Sequence, residues 1–236
     1  MRALTLGPDA RYKRDHMAIE RPVSAAQQEI QSRRARMCRT AAQLFRDRGY
    51  DATSVSDVAR ALGMTKAGLY HHFESKEALL FEIMMYGLER VRDEVIVPVR
   101  VIRDPEERLR QLIVRHARIA TRAQGAITHL GDEIRALPAA SRRQVEQRMR
   151  IYVDLIRDTL SELKAAGRLR DVDPTVAAFS LLGMILWLPR WFRQGGRLDQ
   201  EAVAKEIATF ALGGLLAPVR RPAVKLTVPR RRFGRS

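Results

Sequence analysis

The sequence predicts an all-α chain of about nine helices, on three observations. Apolar residues recur at steps of three and four over most of the chain. No sustained alternation of apolar and polar residues marks a strand. Each periodic segment is also bounded by helix punctuation: Ser, Thr or Asp before it, Gly or Pro after it.

In order, a first helix is expected over about Ala26 to Arg48, with Ile30, Met37, Ala41, Leu44 and Phe45 at helical spacing and Gly49 ending it. Ser54 and Asp57 form an S-x-x-D capping box, so a short helix starts at Val55, with Val58, Ala59 and Leu62 on its apolar side. Gly63 makes a sharp turn and Thr65 caps a second short helix, to Phe73. Ser75 caps a longer helix, which Pro98 should break. Asp104-Pro105 opens the next, to about Ala123, with Leu109, Leu112, His116 and Ile119 on one side. A shorter helix is expected near Ile127 to Ala136. A long one follows Pro138, to Ala166, with the stripe Val145, Met149, Tyr152, Ile156, Leu160 and Leu163, and Gly167 stops it. Asp173-Pro174 starts a helix that is apolar almost all round as far as Pro189, so burial on several sides is expected. Asp199 caps the last, to about Leu216.

The 236 residues carry a formal net charge of +16, with pI near 11.1. Such an excess points to a polyanion, either nucleic acid or an anionic membrane surface. Residues 218–236 hold seven Lys+Arg and no acid, and read as a basic disordered tail. Residues 1–24 read as a flexible arm, within which Met17 is an alternative start. A single cysteine, Cys38, permits no internal disulfide and no zinc cage, which fits a cytoplasmic protein. The longest uncharged run, Pro174 to Pro189, is shorter than the roughly 20 residues a bilayer requires, so no membrane partner is expected through a spanning helix. No Gly-rich phosphate loop, metal-ligand spacing or nucleophile–base pair argues for an enzyme, a metal or a cofactor. His71 and His72 diverge by about 100° on a helix and make no metal pair. His116 and His129 are lone histidines, read as core or pocket.

The pair of short helices around Gly63 suits a helix-turn-helix. Leu69 and Phe73 face inward. Ala67, Gly68 and His71 share an outward face whose small residues let a backbone approach base edges in a groove about 12 Å wide. Lys66 and His71 are placed to reach those edges. Thr65, Tyr70, His72 and Lys76 are placed to hold phosphates.

The stretch "TAAQLFRDRGYDATSVSDVARALGMTKAGLYHHFESKEALL", Thr40 to Leu80, resembles the TetR family of transcriptional regulators. It carries the A-x-x-L-F helix end, the G-Y-x-x-T-S link, the D-V-A helix, G-M-T, L-Y-x-H-F and S-K-E-x-L. The resemblance implies DNA contacts at Thr53, Thr65, Lys66, Ala67, Gly68, Tyr70, His71, His72 and Lys76. It implies a DNA-binding domain over residues 25–80 and a ligand-binding and dimerisation domain over 81–217. The protein would be a homodimer paired through its last two helices, acting as a repressor on an inverted-repeat operator in double-stranded DNA and released by a small-molecule effector. "LLGMILWLPRWFRQGGRLDQEAVA", Leu181 to Ala204, resembles the segment of those TetR regulators that answer acyl-CoA thioesters. Phe179, Met184, Trp187, Trp191 and Tyr152, with His116, would line the site, and Arg190, Arg193 and Arg197 would meet the coenzyme A phosphates. The competing readings are a regulator of the same fold with another apolar ligand, as in efflux control, and a non-specific basic DNA-binding protein.

Overall fold

The computed structural model describes residues 25–122 and 132–218. The arm, the basic tail, His129 and the start of the helix expected at Ile127 lie outside them. The chain divides into two compact units, residues 1–74 and 75–236. Among the described residues there are eight helical rods, one 3-10 turn and no strand beyond an isolated bridge between Leu169 and Leu216.

The first unit holds α1 (Ala25–Arg48), α2 (Val55–Ala61) and α3 (Lys66–Tyr70). Helix α1 buries Met37, Cys38, Ala41, Ala42 and Phe45, the spacing of one helical face. Gly49 ends it at φ 87°, a left-handed conformation that a side chain would strain. Phe45 then meets Tyr50 edge-on, with ring centroids 5.0 Å apart. Val58 and Ala59 of α2, with Leu69 and Phe73 at and beyond α3, complete this small core. The guanidinium of Arg34 lies 5.7 Å from the centre of the Phe73 ring.

The second unit holds α4 (Lys76–Val91), α5 (Pro105–Thr121), α6 (Ala139–Ala165), α7 (Pro174–Trp191) and α8 (Gln200–Leu215). Helix α5 is central and packs on α6, α7 and α8. It buries Leu109, Leu112, Ile113, His116, Ala117 and Ile119. Arg118 fixes α8 to it: Nε and Nη2 each donate to a Glu201 carboxylate oxygen at 2.7 Å, and Gln200 Nε2 donates to the Arg118 carbonyl at 2.6 Å. The end of α8 is tied to the α6–α7 loop, where Arg170 N–H donates to Leu215 O at 2.8 Å and Ala217 N–H to Arg168 O at 2.9 Å.

Several expectations need correction. Pro98 does not end its helix. The chain passes from α4 through a π-helical turn, Arg92–Ile96, into a further turn, Val97–Arg100. The wide turn lets the helix absorb a residue with no N–H. The Glu94 carbonyl, whose α-helical donor would have been residue 98, accepts from Arg115 Nη1 at 3.4 Å instead. Pro189 likewise sits inside α7, close enough to its end that Phe192 N–H still closes on Leu188 O at 2.8 Å. Helix α7 is not buried on several sides. Ala177, Ala178, Leu181, Ile185 and Leu188 are buried, while Val176, Phe179, Trp187 and Trp191 are exposed. Met149, read as part of the α6 stripe, is exposed, although Val145 and Tyr152 to either side of it in that stripe are buried. Before α6, the described chain contains only a 3-10 turn, Asp132–Ala136.

Candidate nucleic-acid interface and effector region

Local hydrogen bonds set the geometry of α2 and α3. Ser54 Oγ accepts from Asp57 N–H at 3.1 Å, and Ser54 N–H donates to Asp57 Oδ2 at 3.0 Å, a closed capping box. The Ser54 hydroxyl also donates to Asp57 Oδ2, at 2.6 Å. These bonds, the hydroxyl's first and the backbone's next, hold the Asp57 carboxyl below the usual carboxylate range. Gly63 turns the chain at φ 66°. Thr65 Oγ1 accepts from Gly68 N–H at 3.0 Å and starts α3. A Cβ on Gly68 would come within 3.2 Å of that same oxygen, so the glycine leaves room for the cap as well as for a groove.

Leu69 and Phe73 anchor α3 to the core, and the opposite side is open. Thr65, Lys66, Ala67, Tyr70, His71 and His72 are exposed, and Gly68 is half-buried. Lys66 Nζ lies 5.9 Å from the centre of the Tyr70 ring, and the His71 and His72 rings meet edge-on at 5.8 Å. The result is a short probe with small residues at its start and cationic, hydroxyl and imidazole groups around them. In the second unit, Ser75 Oγ accepts from Ala78 N–H at 3.0 Å, so Lys76 stands in the first turn of α4, half-buried.

Thr53 does not belong with these residues. Its side chain is fully buried, and Oγ1 donates to the Gly49 carbonyl at 2.8 Å. The hydroxyl satisfies an orphan carbonyl at the end of α1 and is not available to a phosphate. Arg60, on the outer side of α2 and paired with Asp57 at 3.2 Å, is an exposed cation that pattern reading passed over. Its only signal was its position opposite Val58 and Ala59.

The residues expected around an effector fall into separate sets. His116 and Tyr152 are together and buried, with Tyr152 Oη 3.0 Å from His116 Nδ1. Burial pushes the His116 pKa down to about 4 and the Tyr152 pKa far up. Phe179, Trp187 and Trp191 instead occupy the exposed side of α7, across the helix from Leu181, Ile185 and Leu188, so they do not share a slot with Tyr152. Arg190 stacks on Trp187, its guanidinium 4.7 Å from the ring centre. Arg193 and Arg197 are exposed in the following turn, and Arg193 Nη1 donates to the Phe192 carbonyl at 3.2 Å. Met184 borders an open apolar groove of about 480 Å³ with Thr209, Phe210, Ala211, Gly213, Gly214 and Leu215. Among the described residues there is no cluster of three or more His, Cys, Asp or Glu that could hold a metal, and no helix long and apolar enough to cross a membrane.

A capped helix pair with an exposed second helix, followed by a separate helical unit, defines a helix-turn-helix transcriptional regulator. Residues 38–83 match the model described as bacterial regulatory proteins of the tetR family, and residues 103–215 match the tetracyclin repressor-like C-terminal domain. The transcriptional repressor KstR2 of Rhodococcus jostii is 30% identical over 188 residues, 79% of this chain and 92% of that protein. The crystal structure of AibR in complex with isovaleryl coenzyme A and operator DNA is 40% identical, has a TM-score of 0.70, and is matched over 79% of this chain and 99% of that one. The structure of the ketosteroid regulator KstR2 of Mycobacterium tuberculosis is 28% identical, with a TM-score of 0.71 and coverage of 79% and 96%. The chain belongs to the TetR family: it is a DNA-binding transcriptional regulator and not an enzyme.

Proposed function

We propose that the protein is a homodimeric repressor that acts in the cytoplasm, binds an inverted-repeat operator and is released from it by an acyl-CoA thioester. The exposed α3 probe carries the DNA-binding part of this reading. Thr65, Lys66, Ala67, Gly68, Tyr70, His71 and His72, with Lys76 from α4, are its contact set, Lys66 and His71 for base edges and the others for phosphates. DNA binding then falls to residues 25–80, and effector binding and pairing to residues 81–217.

Pairing is supported by the apolar side of α7 and α8. Phe210 is 74% exposed and lines an open apolar groove with Gly213 and Gly214, and Val176 of α7 is 60% exposed. Large apolar surface of this kind, when contiguous, is rare on a monomer. A second copy across a two-fold axis would cover it with the same helices, and two-fold pairing requires an operator with two inverted half-sites about one helical turn apart.

For the effector, the Trp187–Arg190 stack with Arg193 and Arg197 provides an aromatic and cationic surface suited to a nucleotide bearing phosphates. The likeness to AibR, whose crystal structure holds isovaleryl coenzyme A, supports a thioester in particular. The test is fluorescence anisotropy on DNA from upstream of the gene, with short acyl-CoAs, steroid acyl-CoAs, free coenzyme A and the free acids. Release by a thioester and not by its parts bears the reading out. Release by an uncharged apolar compound alone, or equal affinity for random DNA, overturns it.

A further inference from the structure

The π-helical turn that follows α4, Arg92–Ile96, stands among three arginines and holds one of their partners, Glu94. Arg90 donates to Glu94 Oε1 from Nε at 3.0 Å and from Nη2 at 2.9 Å. Arg122 Nη1 donates to the other oxygen of the same carboxylate. Arg115 Nη1 donates to the Glu94 carbonyl at 3.4 Å, and Arg115 Nε is buried with no hydrogen-bond partner among the described residues. Two guanidinium groups thus converge on one carboxylate and a third on the same residue's backbone carbonyl, an excess of two positive charges among these four side chains, with one buried donor unmatched among the described residues. A buried guanidinium donor is stable only when paired, and arginine forks match phosphate oxygens in two-point fashion. The cluster is open at one side: the Arg122 side chain is 43% exposed and that of Glu94 34%.

We infer that Arg90, Arg115 and Arg122 form a phosphate-binding site in which Glu94 acts as an internal substitute for the ligand. A phosphate carries about two negative charges near neutral pH, which matches the excess. Its oxygens would take the Arg115 and Arg122 donors and draw them away from Glu94. Because Glu94 is the central residue of the π turn, and its carbonyl accepts from Arg115 where Pro98 supplies no N–H, occupancy of the site would be coupled to the geometry of that turn. The site lies at the end of α4, in the π turn after it and on α5 with its C-cap Arg122, on different elements from the α7 aromatic surface. It does not depend on the effector being an acyl-CoA.

Isothermal titration of the full-length, DNA-free protein at low ionic strength tests this with three probes: inorganic phosphate, coenzyme A, and pantetheine, which lacks phosphate. Glu94→Gln removes the internal competitor and should tighten phosphate or coenzyme A binding about fivefold. Arg115→Gln and Arg122→Gln should weaken it about tenfold, and pantetheine should not bind. Arg157→Gln, on α6, removes the same charge elsewhere and should leave affinity unchanged. Binding of inorganic phosphate identifies a free-phosphate site. Binding of coenzyme A alone, with the same variant pattern, identifies the phosphate of a larger ligand. Glu94→Gln binding no tighter than wild type, or Arg122→Gln losing no more than Arg157→Gln, overturns the proposal. Thermal melts check folding, and Arg122→Gln, the more exposed change, carries the test if Arg115→Gln does not fold.

Discussion

The hydroxyl of Tyr152 lies 3.0 Å from Nδ1 of His116, a polar pair from α6 and α5 closed inside an otherwise apolar core. A charged imidazolium has no counter-ion there, so the ring stays neutral.

This burial makes the second unit acid-sensitive. Desolvation places the His116 pKa at about 4 in the folded protein, against about 6.5 unfolded. A depressed histidine pKa means the unfolded chain binds the extra proton first. The stability contribution is complete above pH 6.5 and is lost as pH falls from there towards 4, by roughly 3 kcal/mol. His116→Gln keeps a partner for Tyr152 and removes the titration. Its unfolding free energy should therefore vary less with pH between 7 and 4.5 than that of wild type, as read by denaturant unfolding.

Lys76→Ala should weaken binding to every DNA sequence alike and lower the salt dependence by about one counterion. His71→Ala should change the preferred base at one position in each half-site. Anisotropy on operator and random DNA across a salt series separates the two. Equal losses on both DNAs from both variants would contradict the division of roles given to α3 and α4.

Thr53→Ala should act through stability and not through phosphate contact. The lost bond to the Gly49 carbonyl and the cavity left behind cost about 1–2 kcal/mol. Thr53→Ser should recover most of the bond. Urea unfolding should order the three proteins wild type, Ser, Ala, while the salt slope of DNA binding stays the same in all.

Phe210→Asp tests the pairing surface. The side chain is 74% exposed in the single chain, so the monomer loses little. A two-fold dimer would lose two buried phenyl groups, each worth about 1.5–3 kcal/mol, and would gain two buried charges. Sedimentation should show dimer association weakened by at least about 100-fold, with operator binding lost at the same protein concentrations. An unchanged dimer would move the interface elsewhere.

The caps at Ser54, Thr65, Ser75, Asp104, Asp173 and Asp199 and the turns at Gly49, Gly63 and Gly167 stand where the sequence places them. Each is a bond or a backbone angle confined to about four residues, and such information is local. The family motif is legible for the same reason, since the spacing of Leu69 and Phe73 alone turns Lys66, Ala67 and His71 outward. What only tertiary structure decided depends on residues far apart in the chain. The sequence does not show that Thr53 is sealed under α1, or that the aromatic residues of α7 lie away from Tyr152. Nor does it show that Arg115, 21 residues beyond Glu94, donates to the carbonyl that Pro98 leaves without its α-helical partner. Burial and long-range hydrogen bonding are set by which faces meet, and one helix's own periodicity does not specify its neighbour.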